Sequence, residues 1–224
     1  MNEEEQIKIQ QALLEREVDE ELALDKRREF FKKYQNLMIG VVIGTLTLVA
    51  AFNIYQSWWQ RVRRGESDTF EKGVMAVYNK QVPEAVDIFE KSFQGRTDYR
   101  FLSRLRLAGL LLEQGKKNEA LSLLEQLMKA KSAPEELQAV ARLLFVGHQL
   151  DDGEPAKLQT VLVPLLRPDN AFFPMASEQA AMLALREGDK PKAQGYLEAA
   201  LKTGNLAQVQ QQRLEEFLTI LGEK

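Results

Sequence analysis

The chain has no cysteine, one histidine and two tryptophans among 224 residues. Without cysteine there are no disulfides, no thiol nucleophiles and no thiolate metal sites. The one histidine, His148, falls near an expected helix end beside Gln149, Asp151 and Asp152. No partner ligands stand at a usual metal spacing, and a histidine at a helix C-terminus is already favoured by the dipole. Sequences of the type G-x-x-x-x-G-K-S/T, G-x-G-x-x-G and G-x-S-x-G are lacking too. So is an excess of positive charge: 30 Lys and Arg against 33 Asp and Glu leave a net charge of −3, with a pI near 5.5. Nucleic-acid-binding domains usually carry a basic patch. These absences point away from an enzyme, a metal or cofactor site, a small-molecule substrate and a nucleic-acid partner.

Long apolar runs are almost absent, which makes the one present informative. Residues 37–59 hold 23 positions without a charged side chain. At about 1.5 Å per helical residue the run is roughly 34 Å long, against a bilayer hydrocarbon core of about 30 Å. Phe30, Phe31 and Tyr34 precede it, and Tyr55, Trp58 and Trp59 close it. Rings of this kind gather at the two membrane interfaces. The run starts far from Met1 and lacks a small-residue cleavage site, so it reads as an anchor rather than a signal peptide. Lys26, Arg27, Arg28, Lys32 and Lys33 stand before it; Arg61, Arg63 and Arg64 stand after it. Five bases against three favour a cytoplasmic N-terminus, with the long domain on the other side. Gly40 and Gly44 form a G-x-x-x-G pair. It reads either as a close-contact face for a second membrane helix or as the ordinary glycine content of such spans.

The expected organisation is a charged arm at 1–36, a transmembrane helix at 37–59 and a soluble domain at 60–224. In the arm, Leu14, Val18 and Leu22, with Ile7 and Ala23, fall on one helical face. Acids lead and bases follow, which suits the helix dipole. The arm is open to three readings: contact with a cytoplasmic partner, contact with headgroups, or a solvated helix.

After Gly65 there is no strand signal of note, and one pattern repeats. Gly73, Ala85 and Phe89 are followed by Ala108, Ala120 and Leu124, then Val146, Leu158 and Leu162, then Ala181, Ala193 and Leu197. In each set the steps are 12 and 4 residues. In the last three a glycine (115, 153, 188) stands 7 residues after the first position. A small residue lets two helices cross closely, a glycine past a helix end takes a left-handed conformation cheaply, and Pro83, Pro155 and Pro191 suit a first turn. The spacing predicts helix pairs at 64–80/82–94, 98–114/117–131, 134–149/155–166 and 171–187/190–203, with a capping helix over 206–221. The fold class is therefore all-α, a membrane helix followed by a solenoid of about four helix pairs. Lys80 replaces the turn glycine in the first set and Leu158 the small residue in the third.

A period near 34 with these residues resembles the tetratricopeptide repeat, although the early tryptophan is missing from every copy. In that family the first helix of each pair lines a concave face. Candidate positions there are Phe70, Val74, Val77 and Tyr78; Leu102, Leu105, Arg106 and Leu112; and Met175, Gln179, Met182 and Arg186. Met and aromatic groups accept varied apolar segments. The same stripes also fit a buried core.

One span followed by degenerate repeats, with Phe30, Phe31, Lys32, Lys33 and Tyr34 leading into a Gly/Val-rich run and on to Tyr55 and Trp59, resembles the YfgM-like family of ancillary SecYEG translocon subunits over about residues 28–220. The resemblance implies an inner-membrane protein with periplasmic repeats. It also implies association with SecYEG and with a PpiD-type membrane-anchored chaperone, and a role in assisting newly translocated proteins. A scaffold of another envelope complex, in division or export, would use the same fold; a cytoplasmic enzyme regulator is a third reading.

Overall fold

A run of exposed apolar side chains dominates the first part of the molecule. In the computed structural model, which describes the backbone of residues 3–204 and 206–222 and the side chains of 27, 28, 30 and 32 onward within it, every side chain from 37 to 58 is exposed. All of these belong to one helix, α1 (Glu3–Tyr78). Part of α1 is long and apolar enough to cross a membrane, with a best-window mean hydropathy of 2.2 and none of that window buried. Apolar residues without protein cover are stable in hydrocarbon, where every polar group must find an internal partner. Three polar side chains within the run comply. Thr45 donates to the Val41 carbonyl at 2.8 Å, Thr47 to Ile43 at 2.8 Å and Asn53 to Val49 at 2.9 Å. The apolar face expected at Ile7, Leu14, Val18, Leu22 and Ala23, like Lys26 and Phe31, lies outside the described side chains.

The chain divides into two compact units, Met1–Arg61 and Val62–Lys224. Within the second unit, the end of α1 is followed by α2 (Val82–Ser92), α3 (Tyr99–Glu113), α4 (Lys117–Lys129), α5 (Glu135–Gly147) and α6 (Pro155–Leu162). A 3-10 turn (Val163–Leu165), α7 (Phe173–Arg186), α8 (Lys190–Leu201) and α9 (Gln208–Gly222) complete it. No strand occurs among the described residues. The expected pairs are present, and α9 turns Gln208, Gln211, Gln212, Glu215 and Glu216 outward as a cap while burying Leu214 and Leu221.

The 12-and-4 framework is the core. Ala85, Phe89, Ala108, Ala120, Leu124, Val146, Leu158, Leu162, Ala181, Ala193 and Leu197 are all at most 1% exposed, and Gly73 is buried with them. The sizes are matched within each repeat. A Cβ on Gly73 would come within 2.6 Å of the Phe89 ring. The first repeat thus uses glycine because its large residue is phenylalanine; the second and fourth combine alanine with leucine. The third adjusts elsewhere. Leu158 replaces the small residue, and a Cβ on Gly153 would meet its Cδ1 at 2.9 Å, so a bare backbone makes room for the longer side chain.

The turns follow the same logic. Gly115 (φ 76°) and Gly188 (φ 81°) close α3 and α7 in left-handed conformations, with Lys116 N–H to Leu111 O and Asp189 N–H to Ala184 O, each 2.9 Å. This is the six-to-one bond of a Schellman closure. The first repeat forms it without glycine: Lys80 itself adopts φ 59°, and Gln81 N–H reaches Ala76 O at 2.8 Å. In the third repeat Gly153 has no positive φ, and the α5–α6 turn is closed differently.

Repeats are held to their neighbours. Among the described residues, Arg142 to Val161 aside, side-chain hydrogen bonds cross between elements at long range over spans of 28–36 residues, one repeat length. Examples are Ser67 to Tyr99 at 2.9 Å, Arg100 to Ser132 at 3.2 Å, Lys117 to Asp152 at 2.6 Å and Arg213 to Glu178 at 2.5 Å.

Three substitutions test this packing and its turns in urea unfolding of the full chain in detergent. Gly73→Ala will destabilise by about 1–3 kcal/mol through overpacking. Adding Phe89→Leu will recover at least about 1 kcal/mol relative to the sum of the single changes; simple additivity would contradict the size match. Lys80→Gly will stabilise by about 0.5–1 kcal/mol, because the left-handed residue loses its Cβ clash.

Candidate functional site

The first helices of three successive repeats meet at one groove. Phe70 and Val77 of α1, Leu102, Leu105, Arg106, Gly109, Leu110 and Glu113 of α3, and Leu144 of α5 enclose about 280 Å³. Its walls are apolar, with the exposed pair Arg106 and Glu113 supplying the charge. Phe70 is held in place by tilted ring contacts to Phe89 and Tyr99, 5.9 and 5.6 Å between centroids. An apolar cavity with a few polar groups is the usual form of a recognition site.

Of the positions expected on this face, Phe70, Val77, Leu102, Leu105 and Arg106 come together here. Val74 and Leu112 are half-buried against the core instead. Tyr78, 83% exposed, projects at the end of α1. The α7 positions are not part of the groove. Met175 packs on the core and Met182 is half-buried. Gln179 donates to the Leu143 carbonyl at 3.0 Å. Arg186 donates to the carbonyls of Leu150, at 2.6 Å, and Gly153. Arg186 thus holds the turn that lacks a left-handed closure, while Gln179 ties α7 to the body of α5, so the donors of both serve the fold. Leu144, missed in the sequence, lies 38 residues after Arg106; carrying the 38-residue step between Ala120 and Leu158 into α5 would have found it.

Gly40 and Gly44 lie on the uncovered part of α1, and a Cβ on either would meet nothing within 4 Å. His148 is exposed at the end of α5, and no cluster of three metal-ligating side chains occurs among the described residues.

The loop before α3 is fixed by one carboxylate. Glu66 of α1 accepts from the backbone N–H of Arg96 at 2.7 Å, that of Thr97 at 3.0 Å and the Thr97 hydroxyl. A Cβ on Gly95 would stand 2.7 Å from its Oε2. Burial raises the Glu66 pKa, but the hydrogen bonds from Thr97 and Arg96 and the charge of Arg100 outweigh it, and the net shift is downward.

The profile of the family described as tetratricopeptide repeat-like domain matches residues 28–220. The chain belongs to this family. The matched region takes in the apolar run of α1 as well as the repeats. No curated protein and no solved structure gives a match. Repeat domains of this kind are typically non-catalytic adaptors that bind other proteins, and no enzyme family is indicated.

Because folding lowers the Glu66 pKa, its carboxylate stabilises the fold above its unfolded value, and the gain is lost as pH falls through the folded one. Glu66→Gln will therefore lower unfolding stability at pH 7 by about 1.5–3 kcal/mol, the range for hydrogen bonds to a charged acceptor. The gap from wild type will narrow below about pH 4. A gap that does not change with pH would rule out the ionised carboxylate as the source.

Proposed function

We propose that this protein is a non-enzymatic, membrane-tethered adaptor of the Sec translocon. In this reading residues 37–59 cross the inner membrane with the N-terminus in the cytoplasm, and residues 60–224 lie in the periplasm. The repeats associate with SecYEG and with a membrane-anchored chaperone of the PpiD type, and assist newly translocated proteins. The observation that carries the proposal is the combination, within one matched family region, of an uncovered apolar run and a repeat domain whose first-helix face keeps an apolar groove. The likeness in residues 30–34 and 55–59 to the YfgM-like family supplies the choice of the Sec channel.

The physics suits such a role. A tether raises the local concentration of a weak binding site near its partner, so modest intrinsic affinity suffices. Groove residues Phe70, Val77, Leu102 and Leu105 offer rigid and aliphatic surface without a strong charge code, which fits a partner or client segment recognised by apolarity. Gly40 and Gly44 give the span a face on which another membrane helix can close.

Two experiments test the proposal. Photo-crosslinkers at Leu105 and at Thr47 in the full-length protein, followed by mild-detergent purification and mass spectrometry, will capture translocon or chaperone subunits. Recovery of division or export proteins instead would move the adaptor to another envelope complex. A topology reporter fused after Lys224 will be active outside the cytoplasm; a cytoplasmic signal would overturn the orientation.

A further inference from the structure

The uncharged run of α1 carries polar groups that its own helix does not satisfy. Thr45 and Thr47 each give their one hydrogen to a carbonyl four residues back. An asparagine amide has two N–H groups and an acceptor oxygen. One N–H of Asn53 goes to the Val49 carbonyl. The other N–H and the oxygen meet no protein group among the described residues, and Gln56 makes no side-chain hydrogen bond among them. Asn53 lies five residues before Trp58, about 7.5 Å along the axis toward the middle of the run. With residues 37–59 across a membrane, the reading on which this proposal rests, the amide stands in hydrocarbon. No water completes its bonds there, and only another protein group can.

Asn53, Gln56 and Gln60 follow at steps of 3 and 4 residues and share one helical face. The same alternation carried back meets Val49, Leu46, Val42 and Ile39, all exposed. These are the a and d positions of a heptad seam. Its next positions outward are Arg63 at one end and, beyond Gln35, Lys32 at the other. Like charges between two copies close the seam there, so it is confined to the run. Gly40 and Gly44 fall on the other side of the helix.

We propose that two copies of this chain pair in the membrane along this face, with their Asn53 amides hydrogen-bonded to each other. Copies inserted in the same direction are parallel, so Asn53 of one meets Asn53 of the other at the same depth. A primary amide is donor and acceptor at once. Two of them complete each other, which two carboxylates or two ammonium groups cannot do. Gln56 offers the same match one turn on. Apolar contact alone does not drive helices together in lipid, whereas polar side chains bond across them. One asparagine at an a position also fixes the register of a parallel pair. A second copy carries the matching group at the matching depth by construction. The pairing places two repeat domains on one anchor, which raises avidity for a client with two apolar segments.

The absence of cysteine makes the test direct. Single-cysteine variants of the full chain are expressed in bacterial cells, and their membranes are oxidised with copper phenanthroline. L46C and V49C, on the seam, will give at least about 5-fold more disulfide-linked homodimer than L48C and A51C on the glycine side. N53L added to V49C will lower the dimer at least about 3-fold, the scale of one interhelical hydrogen bond in lipid. N53Q, which keeps an amide, will retain most of it. Equal dimer at all four positions, more dimer on the glycine side, no loss in N53L, or capture of a different protein in place of a second copy would overturn the proposal. A membrane-impermeant maleimide separates this from failure of the span itself. Thiols at 46 and 49 that stay shielded without a seam-specific dimer overturn the pairing alone. Thiols that react in intact membranes overturn the membrane reading and the pairing with it.

Discussion

The close crossing of two helices within each repeat is the constraint on which the second unit depends. A helix pair of this size cannot bury its apolar face alone, and only stacking on neighbours makes a continuous core. How near the pair can come is set by a few side chains. Gly73 accepts Phe89, Gly153 yields to Leu158, and Ala108, Ala120 and Leu124 are all buried in the repeat between them. The total volume at the crossing is kept while its parts are exchanged, as expected of an interior packed to near-crystalline density. From this follow the burial of every framework position and the repeat-length reach of the cross-linking hydrogen bonds.

The core is nonetheless not uniform. One apolar cluster runs from α1 to α7, and a second is shared by α7, α8 and α9, with α7 contributing to both. Ala176, Ala180 and Leu183 serve the first, Ala181 and Ala184 the second. Small residues on both faces let α7 be covered twice. This packing leaves apolar surface over on the first-helix face. The first-helix groove survives because α1, α3 and α5 each keep a partly exposed apolar residue.

Much of this was legible in the sequence because the crossing demands fixed residue sizes at fixed spacing. Steps of 12 and 4 residues located the core positions, and the uncharged run at 37–59 stood out by length and by its aromatic flanks. What was not legible depends on backbone conformation and on contacts between repeats. Lys80 takes the left-handed position usually given to glycine; the repeat spacing located the turn, but its residue type gave no sign of that conformation. Gln179 and Arg186 sit on the expected stripe, yet their donors go to carbonyls of the preceding repeat. For Arg186 that use accompanies the missing left-handed closure at Gly153, which no residue pattern announces.

Hydrogen exchange, read by mass spectrometry on the full chain carrying Leu124→Ala, tests whether stability passes only between adjacent repeats. Stacking of neighbours predicts faster exchange in α2 to α5, with α8 and α9 keeping wild-type protection. An equal loss of protection from α2 through α9 would contradict it and show a single cooperative core.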